Sequence, residues 1–456
     1  MSIAREDPAL KGRMPVKPRW TDRALKGTAI VVVSFLFGIA YASSSPSMKT
    51  LSSGIAALNS GRFSGLTPAA SGAVGQSAAA STPGSSGGTT SGSGGAVSLV
   101  GAGSKALTPQ STASSIGLWA ADWGGAASKR SAAGWQAAAH NDRILIGNAS
   151  TYSKELAQLH AWNPSLTVLV YNLGPYLQKG SSTFNLILSQ HPTWFAHDSK
   201  GHQINLPMFP GNYLMDEGNS AYRAWQASQL AQTVAADGFD GAMVDSVGDA
   251  PVGGGHYASG VPVGPTGKPY TAAEYLANSV LLLNGDKAAL GTKFLAFNGL
   301  ISGPQYLSET HILASSNANA GISELFLRQP TGSVTAFPTA TTVQDSIAMM
   351  TDLGAAGKAF LGWTKVWVNN ASAAQVSKWE QFTIGVYLLG RQSMSYLDFM
   401  PSHTADNTAV SYSNLTSSLG SPLGAYTVSG STFTRKFQSG SVTVNAGSGT
   451  ANITLT

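Results

Sequence analysis

From residue 116 onward the chain alternates short apolar runs with longer segments in which apolar residues recur every three or four positions. The short runs occupy 116–119, 143–147, 167–171, 241–244, 293–297, 321–326, 359–363 and 393–399. Each has the length of a strand buried on both faces. Between them, residues 221–236 put Tyr222, Trp225, Leu230 and Val234 on one side of a helix. Residues 371–389 space Val376, Trp379, Phe382 and Val386 in the same way. Strands alternating with helices predict parallel pairing through crossover helices. Eight such units predict an α/β fold of the (β/α)8 barrel type rather than an open sheet. Past residue 403 the pattern changes. Short alternating runs at 426–428, 432–437, 441–444 and 451–456, separated by Gly and Ser, predict a small antiparallel β unit.

Upstream of the barrel the pattern is of another kind. Residues 43–114 are dominated by Ser, Gly, Ala and Thr. Such a segment buries too little apolar surface to offset its ordering entropy, and is expected to act as a flexible tether. Residues 27–42 form an apolar run that follows a basic stretch and ends in Ala40-Tyr41-Ala42. It has the look of a secretory signal. An uncleaved signal anchor, attached to a membrane through 27–42, is the alternative. Either places the remainder outside the cytoplasm. The expected organisation is 1–42 signal or anchor, 43–114 linker, 115–402 barrel and 403–456 small β unit.

Composition narrows the chemistry. Charged residues are 11% of the chain and hydrophobic ones 43%, which suits an exported, weakly charged protein with a large core. The net charge of +5 is concentrated ahead of the apolar run, so it gives no argument for nucleic acid. There is no cysteine, which excludes disulfides and thiolate chemistry. No HExxH or paired-histidine spacing points to a metal, no glycine fingerprint follows the first strand, and no G-x-S-x-G elbow appears. No cofactor is expected.

In such a barrel chemistry sits at the C-terminal ends of the strands. Those ends carry Trp119, Asp122 and Trp123 on the first strand, and Tyr171 and Asn172 on the third. Asp245 follows the fourth strand, Asn298 closes the fifth, Glu324 lies in the sixth run, and Trp363 and Lys365 lie on the seventh. The eighth carries Asp398. Two carboxyls among aromatics and amides suit glycosidic bond hydrolysis. One protonates the leaving oxygen, the other is nucleophile or base, and rings and amides hold the sugar. Asp245 and Glu324 are therefore the expected catalytic residues. Trp119, Asp122, Trp123, Tyr171, Asn172, Asn298 and Trp363 are the expected substrate contacts. An Asp after a strand also caps helices and turns. A Glu in an apolar run needs a partner, for which Arg328 is near in sequence. Asp249 is read as ordering its loop and Asp240 as a turn residue.

Three stretches carry a resemblance. They are His191-Pro-Thr-Trp194-Phe195-Ala-His-Asp198-Ser-Lys-Gly201, Met215-Asp216-Glu-Gly-Asn219-Ser-Ala-Tyr222-Arg223 and Asp237-Gly-Phe-Asp240-Gly241-Ala-Met-Val-Asp245-Ser. The tail adds Thr434-Arg435-Lys-Phe437 and Gly440-Ser-Val-Thr-Val-Asn445. Together they resemble the TIM-barrel glycoside hydrolases of the hypothetical family 15 type, relatives of endo-α-1,4-polygalactosaminidase-like enzymes. The resemblance implies a strand-four nucleophile at Asp245 and an acid/base at Glu324. The long Gly-rich loop from Val252 to Tyr270 departs from that pattern. Two functions stay open here. One is a hydrolase of an extracellular or cell-envelope polysaccharide. The other is a non-catalytic carbohydrate-binding surface protein on a degenerate barrel, which would depend on its tryptophans more than its acids.

Overall fold

A computed structural model describes residues 116–122, 127–255, 257–403, 405–406 and 419–455. The expected signal or anchor, the tether and Trp123 lie outside the described residues. Among the described residues no helix is long and apolar enough to cross a membrane.

The chain opens with strands β1 (Gly117–Asp122), β2 (Ile144–Gly147) and β3 (Thr167–Asn172). An excursion follows through β4 (Tyr176–Gln178), β5 (Asn205–Leu206) and β6 (Phe209–Leu214). The barrel resumes with β7 (Gly241–Val244), β8 (Phe294–Asn298), β9 (Ala320–Ser323), β10 (Ala359–Lys365) and β11 (Ser395–Met400). Eight of these strands close in the order β1-β2-β3-β7-β8-β9-β10-β11, every neighbouring pair parallel. All eight apolar runs are therefore barrel strands. The antiparallel sheet β4-β6-β5 is an addition that periodicity did not show. Its strands are two to six residues long, and β6 contains Pro210 and Gly211. That leaves too little regular alternation to read.

Strand alternation sorts the core into two layers. Trp119, Ile146, Leu169, Met243, Ala296, Ile322, Leu361, Trp363 and Tyr396 pack together inside the barrel. Their neighbours Ala120, Leu145, Val170, Val244, Phe297, Phe360 and Leu397 belong to the layer shared with the helices. Helix starts follow local chemistry. Thr271 and Glu274 form a capping box at the head of helix Ala272–Leu290, and Ser372 and Gln375 do the same for Ala373–Gly390.

The tail forms β12 (Thr427–Ser429), β13 (Thr432–Phe437), β14 (Gly440–Asn445) and β15 (Thr450–Leu455), a four-stranded antiparallel sheet in sequence order. It shares a core with the barrel: Phe433, Phe437, Val442 and Val444 pack in one cluster with Phe382 and Val386. Gly385 allows the close approach, since a Cβ there would stand 2.7 Å from Ala451 and 2.8 Å from Val444. Arg435 donates from Nη1 to the carbonyls of Leu388, Leu389 and Arg391, satisfying the last turn of helix Ala373–Gly390.

Candidate active site

The same alternation decides which strand-end side chains can meet. On β7 the inward position after Met243 is Asp245, and on β8 the one after Ala296 is Asn298. On β9 the position after Ile322 is Glu324, and on β10 the one after Trp363 is Lys365. Tyr171 follows Leu169 inward on β3. Five strands thus deliver five polar side chains to the C-terminal mouth, where barrels of this kind do chemistry.

They are bonded to one another. The Asn298 amide nitrogen donates to Asp245 Oδ1 at 2.8 Å and to Glu324 Oε2 at 2.7 Å. The Tyr171 hydroxyl donates to Asp245 Oδ2 at 2.8 Å, and the Ser246 backbone N–H to Oδ1 at 2.8 Å. Glu324 Oε1 takes an ion pair from Lys365 Nζ at 2.6 Å. The ammonium lies 3.9 Å from the ring centre of Trp363 and 4.7 Å from that of Trp367. Asp245 is 1% exposed and Glu324 5%. Burial, reinforced by the neighbouring Glu324 charge, pushes the Asp245 carboxyl up to about 6. Burial pulls Lys365 below its ordinary value, and the Glu324 carboxylate opposes that shift.

The backbone around Asp245 is shaped for this. Ser246 has φ 59°, a left-handed conformation rare for residues other than Gly, and it turns its own N–H back onto the carboxylate. Gly174, at φ 69°, lies against the Asp245 carbonyl, which a Cβ there would meet at 1.9 Å. Only glycine fits both the angle and the contact.

The remaining expected contacts go elsewhere. Asp122 follows Ala120 on the outward parity of β1 and faces the helices. It accepts from Tyr152 at 2.7 Å and pairs with Arg130 at 2.6 Å, while Arg130 also binds Asp406. Asn172, likewise outward on β3, accepts through Oδ1 from the Gly174 N–H at 2.9 Å and so builds the turn under Asp245. Trp119 and Trp363 are 1% and 3% exposed and pack edge to face at 5.9 Å inside the barrel. The Trp119 indole donates to the Gly362 carbonyl. Arg328, the partner suggested for Glu324 by nearness in sequence, instead turns to the Gln329 and Gly332 carbonyls and the Trp379 ring. Lys365 replaces it. Sequence reading named Lys365 only as a strand end, yet its parity with Trp363 was a usable signal. Tyr257, from the long loop after Asp245, feels the Glu324 charge in its raised phenol, though burial is the larger cause. Asp240 takes the expected local part, accepting from the Val168 N–H at 2.8 Å. Among the described residues no group of three or more acidic or histidine side chains is arranged to hold a metal ion.

Residues 160–441 match the model of a family described as hypothetical glycosyl hydrolase family 15. No curated protein matches the chain. Among solved structures, a cycloisomaltooligosaccharide glucanotransferase from Paenibacillus sp. is similar over 56% of this chain at 12% identity and TM-score 0.40. The chain spans 39% of that protein's length. The glycoside hydrolase domain of PelA from Pseudomonas aeruginosa is 11% identical over 64% of this chain and 97% of its own, with TM-score 0.39. Eubacterium rectale Amy13B is 9% identical over 74% of this chain and 87% of its own, with TM-score 0.43. These likenesses bear on no residue of the site.

Proposed function

The chain belongs to the hypothetical glycosyl hydrolase family 15, and from its site we propose that it cleaves a polysaccharide outside the cytoplasm by a retaining, two-carboxylate mechanism at Asp245 and Glu324. The observation that carries this reading is the Asn298 amide, one nitrogen bonded to both carboxylates. Those two bond lengths cap the separation of the two carboxylate oxygens at about 5.5 Å. Retaining glycosidases hold their carboxyls about 5–5.5 Å apart, whereas inverting ones need about 6.5–9.5 Å to admit a water between them. One carboxyl gives its proton to the glycosidic oxygen while the other bonds the anomeric carbon. Water then releases the sugar with its configuration kept.

The burial of the barrel tryptophans favours this reading over a purely binding one. Trp119, Trp363 and Trp367 are core and Lys365 packing, not open stacking surfaces. The extracytoplasmic location rests on the composition of residues 27–42 and of the Ser/Gly/Ala-rich segment after them.

The test is product analysis of the full-length protein on a panel of neutral and amino-sugar polysaccharides. Sugar released with retained configuration is expected. Asp245→Asn should lower turnover about 10²–10⁴-fold, the range for loss of a positioned acid, base or nucleophile, with an unchanged melting profile. Full activity in Asp245→Asn would sink the assignment, and an inverted product would sink the retaining mechanism.

A further inference from the structure

The resemblance implies Asp245 as nucleophile and Glu324 as acid/base, but the charges around the pair are not symmetric. Lys365 is 1% exposed, and its ammonium contacts Glu324 and the two indole faces. No cation forms an ion pair with Asp245 among the described residues, and Lys365 acts on it only by longer-range attraction; its bonded partners are a phenol, an amide and a backbone N–H. We propose that Lys365 is the positioning residue of this site: by placing its ammonium on Glu324 and leaving Asp245 without one, it holds the negative charge on Glu324 and the proton of the pair on Asp245. Resting on the hydrolase reading above, this reverses the implied roles.

The chemistry then runs in two balanced steps. The Asp245 carboxyl gives its proton to the glycosidic oxygen as the bond from that oxygen to the anomeric carbon breaks, its electron pair staying on the oxygen. The Glu324 carboxylate supplies the electron pair that bonds the anomeric carbon, forming a glycosyl ester. In the second step Asp245, now ionised, takes a proton from water. The water oxygen bonds the anomeric carbon, and Glu324 departs as carboxylate. Two carboxyls whose surroundings push their proton affinities apart are the usual signature of such a division of labour. Burial and the Glu324 charge raise Asp245 in the required direction. The other ionisable groups facing the pair fit the same picture. Tyr171 and Tyr176 beside Asp245, and Tyr257 beside Glu324, are held neutral by burial. Asp398, on β11, adds negative charge near Lys365 and so helps keep it an ammonium.

Two measurements test this on the full-length protein. The first follows the side-chain carboxyl ¹³C signals of Asp245 and Glu324 near pH 5, each assigned by its loss in Asp245→Asn or Glu324→Gln. The proton should sit on Asp245 in the wild type and in Lys365→Arg, and should move toward Glu324 in Lys365→Met. A merely structural lysine would leave that distribution unchanged. This experiment needs no substrate, so it stands even where the panel of polysaccharides shows no hydrolysis. The second uses glycosyl fluorides, whose leaving group needs no proton. Asp245→Asn should keep the first step, releasing about one fluoride per site in a burst, and should regain steady turnover with azide, which attacks the glycosyl ester without needing a base, while losing about 10³-fold on polysaccharide; Glu324→Gln should lose the burst as well. It does not depend on Lys365→Met folding. A proton found on Glu324 in the wild type, or a fluoride burst that survives in Glu324→Gln and not in Asp245→Asn, overturns the proposal.

Discussion

Among the described residues, two pairs of buried acids make a comparison, and only one is equipped to react. At the barrel mouth, Asp245 and Glu324 share the Asn298 amide, and Lys365 and Tyr171 complete the set. Between helices Ser220–Asp237 and Ala272–Leu290, Glu217 and Asp286 are fully buried with one donor each. Ser279 bonds Glu217 at 2.6 Å and Gln226 reaches Asp286 at 3.4 Å. Glu217 Oε1 and Asp286 Oδ1 have no hydrogen-bond partner. Burial pushes both of these carboxyls up to about 8. Burial alone therefore stores a proton and nothing more. What distinguishes the mouth is a fixed cation on one member of the pair, and donors that can stabilise an anion when the other gives its proton away.

The contrast is broken most visibly by pH. Glu217 and Asp286 bind protons more tightly folded than unfolded, where their ordinary values are 4.5 and 3.8. Their contribution is complete below about pH 4 and is lost as pH rises toward 8, because over that window only the unfolded chain gives up the protons. The loss is on the order of several kcal/mol in all. Urea unfolding followed from pH 5 to pH 9 should show stability falling. Glu217→Gln with Asp286→Asn should flatten that slope while leaving turnover at the mouth unchanged. An unaltered slope in the double variant would mean that the helix interface is not where the protons are held.

A third carboxylate sharpens the comparison from the other side. Asp122 is as buried as the mouth pair, and burial raises its carboxyl, but Arg130 opposes that shift and the side chain points outward from β1. Asp122→Asn should cost about 3 kcal/mol of stability, the low end for breaking a buried ion pair, because Asp406 stays on Arg130. Its effect on KM should be small. A tenfold rise in KM with stability unchanged would restore Asp122 as a sugar contact.

Much of this was legible in sequence. All eight barrel runs fell where strands form, because buried parallel strands read as continuous apolar stretches whatever surrounds them. Asp245, Glu324, Asn298 and Tyr171 were found as strand-end residues and do meet. Asp122 and Asn172 were drawn into the same list by position along the strand, whereas inward or outward facing depends on parity. With Trp119 and Leu169 in the interior, Asp122 and Asn172 are odd numbers of residues away and must face the helices. Applied to β10, the same rule would have promoted Lys365 alongside Trp363. The partner of Glu324 was harder. Arg328 is four residues off and Lys365 forty-one, and only closure of the barrel brings the second one nearer.

The smallest effect concerns strain rather than charge. Ser246 adopts φ 59° directly after Asp245, and its buried hydroxyl has no hydrogen-bond partner. The helix-interface acids follow no such residue. A non-glycine residue in this region costs on the order of 1 kcal/mol, kept where the surroundings enforce it. Ser246→Gly removes that cost and the orphaned hydroxyl, but adds backbone freedom to the unfolded chain. The balance should be a gain of about 0.5 kcal/mol or less, read as a small rise in the urea midpoint. The Ser246 N–H would still reach Asp245, so turnover should change by less than about threefold, a barrier change below 1 kcal/mol. A large loss of turnover at unchanged stability would instead show that the Ser246 side chain itself is needed to aim that N–H at the carboxylate.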